Sequence, residues 1–430
     1  MKGLRCSILL VVCVIVEAAR MDPDQLIRYF GTNSAAEAPE FEIIYPVISA
    51  NNYRTMAATR GVIATEKMTI TVQAFGETFQ MMVHQDSSFI ADGLEVVYVG
   101  TCSKSLPERK AVRRDCYYRG KLVGDEWSLV SVSACSGITV FIRRGSETFH
   151  IVPLDEKDAV EMSLLDSHSG APHIIYKGAT WEDWIGSCDF VDEDGTDYQA
   201  DLTIHPPDFE GLSQRYIETM VVGDGALYEI RGANTANSLL ALMNSVSHVL
   251  ALPSLIGDKL QLVVVDMRVY TNNTGDLVTD EHAYWTLFNF CKWQNKTNPA
   301  MEQNPRHFDI ATLLTGFNIY GSHGDGTKGI ALTGGACQRT KQCSLVEFLE
   351  QNAIYATAHE IGHSLGMHHD GHHGNTCPEA GFLMCPYMQD NEAELGWSIC
   401  SRNYLLNFLD TKGSCLEDKP GINLLPEIEK

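Results

Sequence analysis

The run HEIGHSLGMHHD at positions 359–370 sets three imidazoles and a carboxylate at spacings that suit a single metal ion. On a helix, His359 and His363 stand four residues apart and project from one face, so both rings can reach the same ion. Glu360 sits beside them, placed to take a proton from water without being a ligand itself. Gly366 tolerates the left-handed backbone that ends a helix and folds the chain back, which lets His369 close the third corner. Three histidines leave the fourth tetrahedral position open, the arrangement of a catalytic rather than a structural zinc. A bare HExxH arises by chance in many chains; Gly366 and His369 at fixed spacing make coincidence far rarer. His368, His372 and His373 crowd the same polar loop and read as solvated histidines rather than ligands.

Fifteen residues after His369, the segment GFLMCPYM supplies Met384 ahead of a tight turn at Pro386. The extended histidine pattern followed by such a methionine resembles the metzincin signature, in which the methionine packs beneath the ligands. Met388 is a competing candidate for that place. The elements that must hold these residues follow from periodicity. RYIETMVVGD and LQLVVVDMRVY are apolar runs of strand length, and TANSLLALMNSVSHVLALPSL between them has helical spacing. HFDIATLLTGF and GIALTGGAC read as further strands, and EFLEQNAIYATAHEIGHSL as one long helix. That order implies an α/β sandwich with a partly parallel sheet. The strand GIALTGGAC is expected to form the rim on which a substrate backbone pairs as an added strand, and Pro386 and Tyr387 to shape the adjoining pocket. Upstream, from Phe41 to about Leu154, short alternating runs such as MTITVQAF, LEVVYVGT and GITVFIRR predict a separate strand-rich domain. Between Tyr176 and Gln214 the chain turns acidic and irregular and reads as a connector.

At 430 residues the chain has room for two or three compact domains. Its formal charge of -23 argues against nucleic acid or an anionic membrane as partner, because both attract basic surfaces. The opening MKGLRCSILLVVCVIVEAAR has Lys2 and Arg5 ahead of an apolar run ending at small residues, the pattern of a secretory signal peptide cleaved after Ala18. No later stretch is long and apolar enough to span a bilayer. Of thirteen cysteines, Cys6 and Cys13 fall in the signal, so an odd number enters an oxidising compartment where most should pair. Sequons at Asn272 and Asn295 mark sites for glycans.

The second half of the chain resembles the reprolysin (adamalysin) metalloproteases, the nearest subgroup being the ADAMTS proteases. The resemblance rests on RYIETMVV, FCKWQ, HFDIATLLT, GGACQ, the histidine run ending in His369-Asp370, FLMCP, and GWSICSRNYLLNFLD followed by SCLEDKP, in the family's order and spacing. CYYRGKLVGDEWSLVSVSACSG, FHIVPL and HIIYK resemble the family's inhibitory propeptide. The fold implied is a metzincin-type zinc protease domain, with a twisted mixed sheet and a long active-site helix, after a strand-rich propeptide domain. Expected boundaries are 1–18 for the signal, 19–205 for the propeptide, 206–420 for the catalytic domain and 421–430 for a short tail. The implied activity is a secreted, extracellular zinc endopeptidase made as a zymogen, acting as a monomer on protein or peptide substrates with its own propeptide as inhibitor. A structural calcium site is implied at Glu218, Asp309, Cys415 and Asp418, whose oxygens suit a hard cation. Disulfides are implied between Cys291 and Cys343, Cys337 and Cys415, Cys377 and Cys400, and Cys116 and Cys135. Cys188 stands where the family's propeptides often carry a zinc-blocking thiol, with pairing to Cys102 or Cys385 as its alternative fate.

The chain also departs from the family. It lacks a cysteine pair usual between Phe317 and Gly324, has Cys385 directly after the turn methionine, and shows no dibasic cleavage site between Tyr176 and Tyr216. It stops where the ADAMTS proteins continue into further modules, a short form similar to metalloproteases of arthropod venoms and salivary secretions. A toxin or binding protein on a protease scaffold is the rival reading, disfavoured because all three histidines and Glu360 are intact.

Overall fold

The computed structural model describes residues 21–50, 65–100, 107–162, 164, 170–178, 211–273, 276–321, 327–348, 353–386 and 396–420, with the backbone alone at 53–56 and 187–191. The expected signal peptide, Cys102, Met388, most of the acidic connector and the final tail lie outside these residues. The chain forms two compact units, one built from residues up to Ser87 and from Arg113–Asp183, the other from Ser88–Val112, Trp184–Phe348 and Ala353–Lys430.

The first unit holds an antiparallel ten-stranded sheet among the described residues, with Phe41–Ile44 at one edge and Tyr53–Met56 at the other. Its strands alternate as half-buried strands should: in Lys67–Ala74 the even positions Met68, Ile70, Val72 and Ala74 are buried while Lys67 and Gln73 are exposed. These side chains meet Met81, Val83, Val130, Val132, Ile142 and Phe149 in one core. Cys116, just before strand Tyr117–Leu122, is bonded to Cys135, just after the paired strand Leu129–Ser133.

The second unit carries the histidine run. Its strands, in chain order, are β1 (Glu95–Val99), β2 (Glu108–Ala111), β3 (Ser187–Val191), β4 (Arg215–Gly223), β5 (Leu260–Tyr270), β6 (Ile310–Thr315), β7 (Thr327–Leu332) and β8 (Cys343–Glu347). They form one sheet in the order β3-β7-β8-β6-β4-β5-β1-β2. The central strands β8, β6, β4, β5 and β1 run parallel, β7 runs antiparallel to β8, and β3 lies parallel to β7 on its outer side. All six residues of β6 are buried, as a central parallel strand covered on both faces requires.

Five α-helices flank this sheet among the described residues: α1 (Gly225–Arg231), α2 (Thr235–Leu250), α3 (Ala283–Thr297), α4 (Ala353–Ser364) and α5 (Ile399–Thr411). Met220 and Val222 of β4, with Val263 and Val265 of β5, pack with Leu287, Phe290 and Trp293 of α3. The alternate face meets α2, since a side chain at Gly223 would touch Leu239. The unit is therefore a three-layer sandwich around a mixed sheet.

Three features differ from the sequence reading. The long helix read from Glu347 onward starts later: Glu347 ends strand β8, and the helix begins at Ala353. CSLVE is a short apolar run, which periodicity alone cannot assign to strand or helix. LEVVYVGT, read with the first domain, provides β1 and adds to the second unit's sheet beside Met267–Tyr270. The acidic connector contributes β3, where an irregular stretch was expected.

Candidate metal centre

Helix α4 is buried along its whole length, so the histidines it carries are held in a dry interior. His359, Glu360 and His363 are fully buried and His369 nearly so. The Nε2 atoms of His359 and His363 lie 3.0 Å apart, and that of His369 lies 3.1 Å from each. Three nitrogens this close, aimed at one point, form a face of a small tetrahedron whose centre suits a zinc ion. His359 turns its Nδ1 to the Leu383 carbonyl at 2.6 Å and His363 turns its Nδ1 to the Met367 carbonyl at 2.8 Å. Those carbonyls only accept, so each Nδ1 carries the proton and each Nε2 presents its lone pair to the centre. Burial lowers the pKa of His359 to about 4, and burial plus the neighbouring imidazoles lowers that of His369 to about 2. The triad is thus neutral and ready to ligate at physiological pH. The residues fit zinc on donor type, spacing and tautomer together.

The turn after α4 is built by Gly366, whose φ is +83°. Its N–H bonds the His363 carbonyl at 2.8 Å and the Met367 N–H bonds that of Gly362 at 3.0 Å, the paired bonds of a glycine-terminated helix. A β-carbon at Gly366 would also stand 3.2 Å from the Phe408 ring of α5. Beyond it, Asn375 fastens the loop bearing His369: its amide donates to the His369 carbonyl at 2.8 Å and to the His372 carbonyl at 2.7 Å. Asp370 N–H bonds the Met384 carbonyl at 2.8 Å, and the Asp370 carboxylate accepts from Ser398, the N-cap of α5. Burial raises the Asp370 pKa to about 7. Met384 is fully buried, and its sulfur sits under α4, 2.8 Å from where a β-carbon on Gly362 would be.

Strand β7 approaches from the other side. A β-carbon on Gly329 would meet the Glu360 carboxylate at 2.6 Å, so Gly329 is the residue that leaves room for it. Neither Asn375 nor Gly329 was singled out from sequence; the glycine in GIALTGGAC was visible, but not what it faces. His368 is buried against Tyr404 and His373, where a solvated residue was expected, while His372 and His373 are half-buried. None of the three joins the ligand cluster among the described residues.

Disulfides Cys291–Cys343, Cys337–Cys415 and Cys377–Cys400 are formed, and Cys385 is a buried free thiol whose pKa burial raises to about 12. Glu218, Cys415 and Asp418 line one cleft of about 720 Å³ together with Glu302. Asp309 and His307 cluster with Glu218 there, a histidine the sequence reading passed over. Burial raises the Glu218 pKa, and burial and the nearby Glu218 raise that of Asp309 well above the usual carboxylate range. Asn295 lies half-buried in the last turn of α3, and Asn272 is half-buried after β5.

The fold and the histidine centre together define a metzincin-type zinc protease domain. Residues 215–420 match the reprolysin (M12B) family zinc metalloprotease, and the chain belongs to that family. It is 30% identical over 395 residues to A disintegrin and metalloproteinase with thrombospondin motifs 6 of Homo sapiens, a match covering 83% of this chain and 35% of that protein. It is 31% identical over 321 residues to A disintegrin and metalloproteinase with thrombospondin motifs 7 of Mus musculus, covering 70% of this chain and 19% of the relative. The chain therefore spans between about a fifth and two fifths of the length of such curated relatives. Metalloproteinase-II from Bacteroides fragilis has a structure that overlays with a TM-score of 0.47 at 14% identity, covering 83% of this chain and 93% of that one. No helix among the described residues is long and apolar enough to cross a membrane.

Proposed function

We propose that the protein is a secreted zinc endopeptidase, made as a zymogen, in which Glu360 is the general base. The observation that carries this reading is the triangle of Nε2 atoms 3.0–3.1 Å on a side, with the Glu360 carboxylate buried on the next residue of the same helix. Zinc held by His359, His363 and His369 supplies Lewis-acid polarisation of a scissile carbonyl and a lowered pKa for a water. Glu360 then accepts the proton of the attacking water and returns it to the departing amine nitrogen. Strand β7 offers its edge for a substrate backbone to pair.

Latency is supported by strand pairing within the second unit. β3, from the stretch expected to be propeptide, occupies the β7 edge, and its register sets Cys188 opposite Gly329, the residue that makes space for Glu360. A thiolate brought to the triad would fill the open ligand position, and the strand itself would deny the edge to substrate. By resemblance, a structural cation, calcium, belongs to the cleft of Glu218, Asp309, Cys415 and Asp418. Glycans at Asn272 and Asn295, a monomeric state, the signal at 1–18 and the domain bounds 19–205 and 206–420 complete the reading. Casein digestion by the opened enzyme tests it: the activity should vanish with a chelator and return with added zinc. Chelator-resistant cleavage, or none under any opening condition, would defeat it.

A further inference from the structure

Residues 88–112 lie within the stretch expected to be propeptide, yet they are built into the unit that carries the histidine centre. Phe89 and Ile90 are fully buried there, and Leu94, Val96 and Val97 are buried as well. Ala91 belongs to the core of Val263, Val265 and Phe290, and Val99 packs against it. The backbone is engaged along the same line. Val264 N–H bonds the Phe89 carbonyl at 2.8 Å, Ala91 N–H bonds the Val264 carbonyl at 3.1 Å, and Thr271 N–H bonds the Val99 carbonyl at 2.9 Å. Between these points β1 pairs in parallel with Met267–Tyr270, and the Gln261 amide donates to the Ser88 carbonyl at 2.7 Å.

Strand β5 has the sequence of a strand with neighbours on both sides. LQLVVVDMRVY is apolar at consecutive positions, and only Gln261 and Arg268 are even partly exposed. That pattern belongs to an inner strand covered on both faces. As an outer strand it would present a long apolar edge with unpaired amides, which proteins blunt with charge or short length. β2 has both properties: it is four residues long, all four are exposed, and Glu108, Arg109 and Lys110 are charged. Arg109 also pairs with Glu95 of β1 at 3.3 Å, which ties the two strands together. The sheet therefore finishes at β2 and not at β5.

We infer that residues 88–112 are a permanent part of the enzyme: when the precursor is opened and β3 leaves, this segment stays in the sheet along β5. The interaction surface is the β5 edge, and its partner is an extended segment of the same chain, held by strand addition. The inference rests on the zymogen reading above and divides the upstream half into two roles. Cover of the β7 edge is lost on opening, and cover of the β5 edge is kept. The segment ends at Val112, immediately before Arg113-Arg114, a basic pair at which a trypsin-like protease hydrolyses a chain with water. The Arg113 side chain is 53% exposed.

The test opens the full-length precursor by limited trypsin digestion, blocks the trypsin with an inhibitor and isolates the peptidase by gel filtration in native buffer. Mass spectrometry of that peak, after reduction and denaturation, should find a fragment containing residues 89–99 at about one per peptidase chain, with residues 116–178 gone. Residue-resolved hydrogen exchange should show the Val264 and Thr271 amides as protected as in the precursor. Peptidase without residues 89–99, or with them only where residues 116–178 also remain, would overturn the inference. So would exchange at Val264 and Thr271 about a hundredfold faster than in the precursor. Hydrolysis of a fluorogenic peptide by the same peak reports on the zymogen reading separately: a silent peak that keeps the fragment supports the retained strand and counts against the peptidase.

Discussion

Glu360, the proposed base, shows how little of a residue's environment lies in its own motif. Its place between two ligands was legible because the spacing is local to one helix, and so was the turn that brings in His369. Gly329 was not, since its role comes from strand β7 passing within touching distance of the carboxylate, and no spacing along the chain encodes that approach. Gly329→Ala should therefore leave zinc content unchanged but cut peptide hydrolysis at least tenfold, because the added methyl must displace the carboxylate. Zinc analysis beside a kinetic assay reads both, and wild-type turnover would show that the carboxylate moves aside freely. His307 went unread for a related reason: it stands two residues before Asp309 in the chain, but the cluster it joins also needs Glu218 of strand β4.

The fold's elements were legible where their patterns are long. Strands β4 and β5 and helix α2 fall inside the predicted segments, because buried parallel strands and a 16-residue helix leave strong apolar signatures. Strand β8 went unread, with only its last residue, Glu347, taken into the helix segment, because five residues carry too little periodicity. β1 and β3 were misplaced because strand pairing is decided by distant partners and not by composition. The join between α4 and the loop bearing His369 depends on Gly366 in two ways, through its φ of +83° and through the space that Phe408 needs. Gly366→Ala should destabilise the fold by about 1–2 kcal/mol from the left-handed backbone alone. Urea unfolding should show a lower midpoint with an unchanged slope. An unchanged midpoint would mean that the turn relaxes at no cost.

The chain assembles its peptidase domain partly from segments upstream of it, with β1 and β3 lying on the two sides of a sheet whose middle is the reprolysin domain. The latency proposed above runs through strand β3. Full-length protein with Cys188→Ala should cleave peptides while the unsubstituted precursor remains silent, and Cys188 should be alkylated only after the propeptide is released. Equal silence of both precursors would assign inhibition to strand cover without the thiol. The peptidase reading itself turns on Glu360 acting as base beside a zinc that binds without it. Glu360→Gln and unsubstituted protein, each opened by limited trypsin digestion and then freed of trypsin activity with an inhibitor, should be compared on a fluorogenic peptide after zinc analysis. The prediction is equal zinc in the two, with hydrolysis by the variant about a hundredfold lower or less. A variant that keeps its zinc and more than about a tenth of the unsubstituted rate would contradict it.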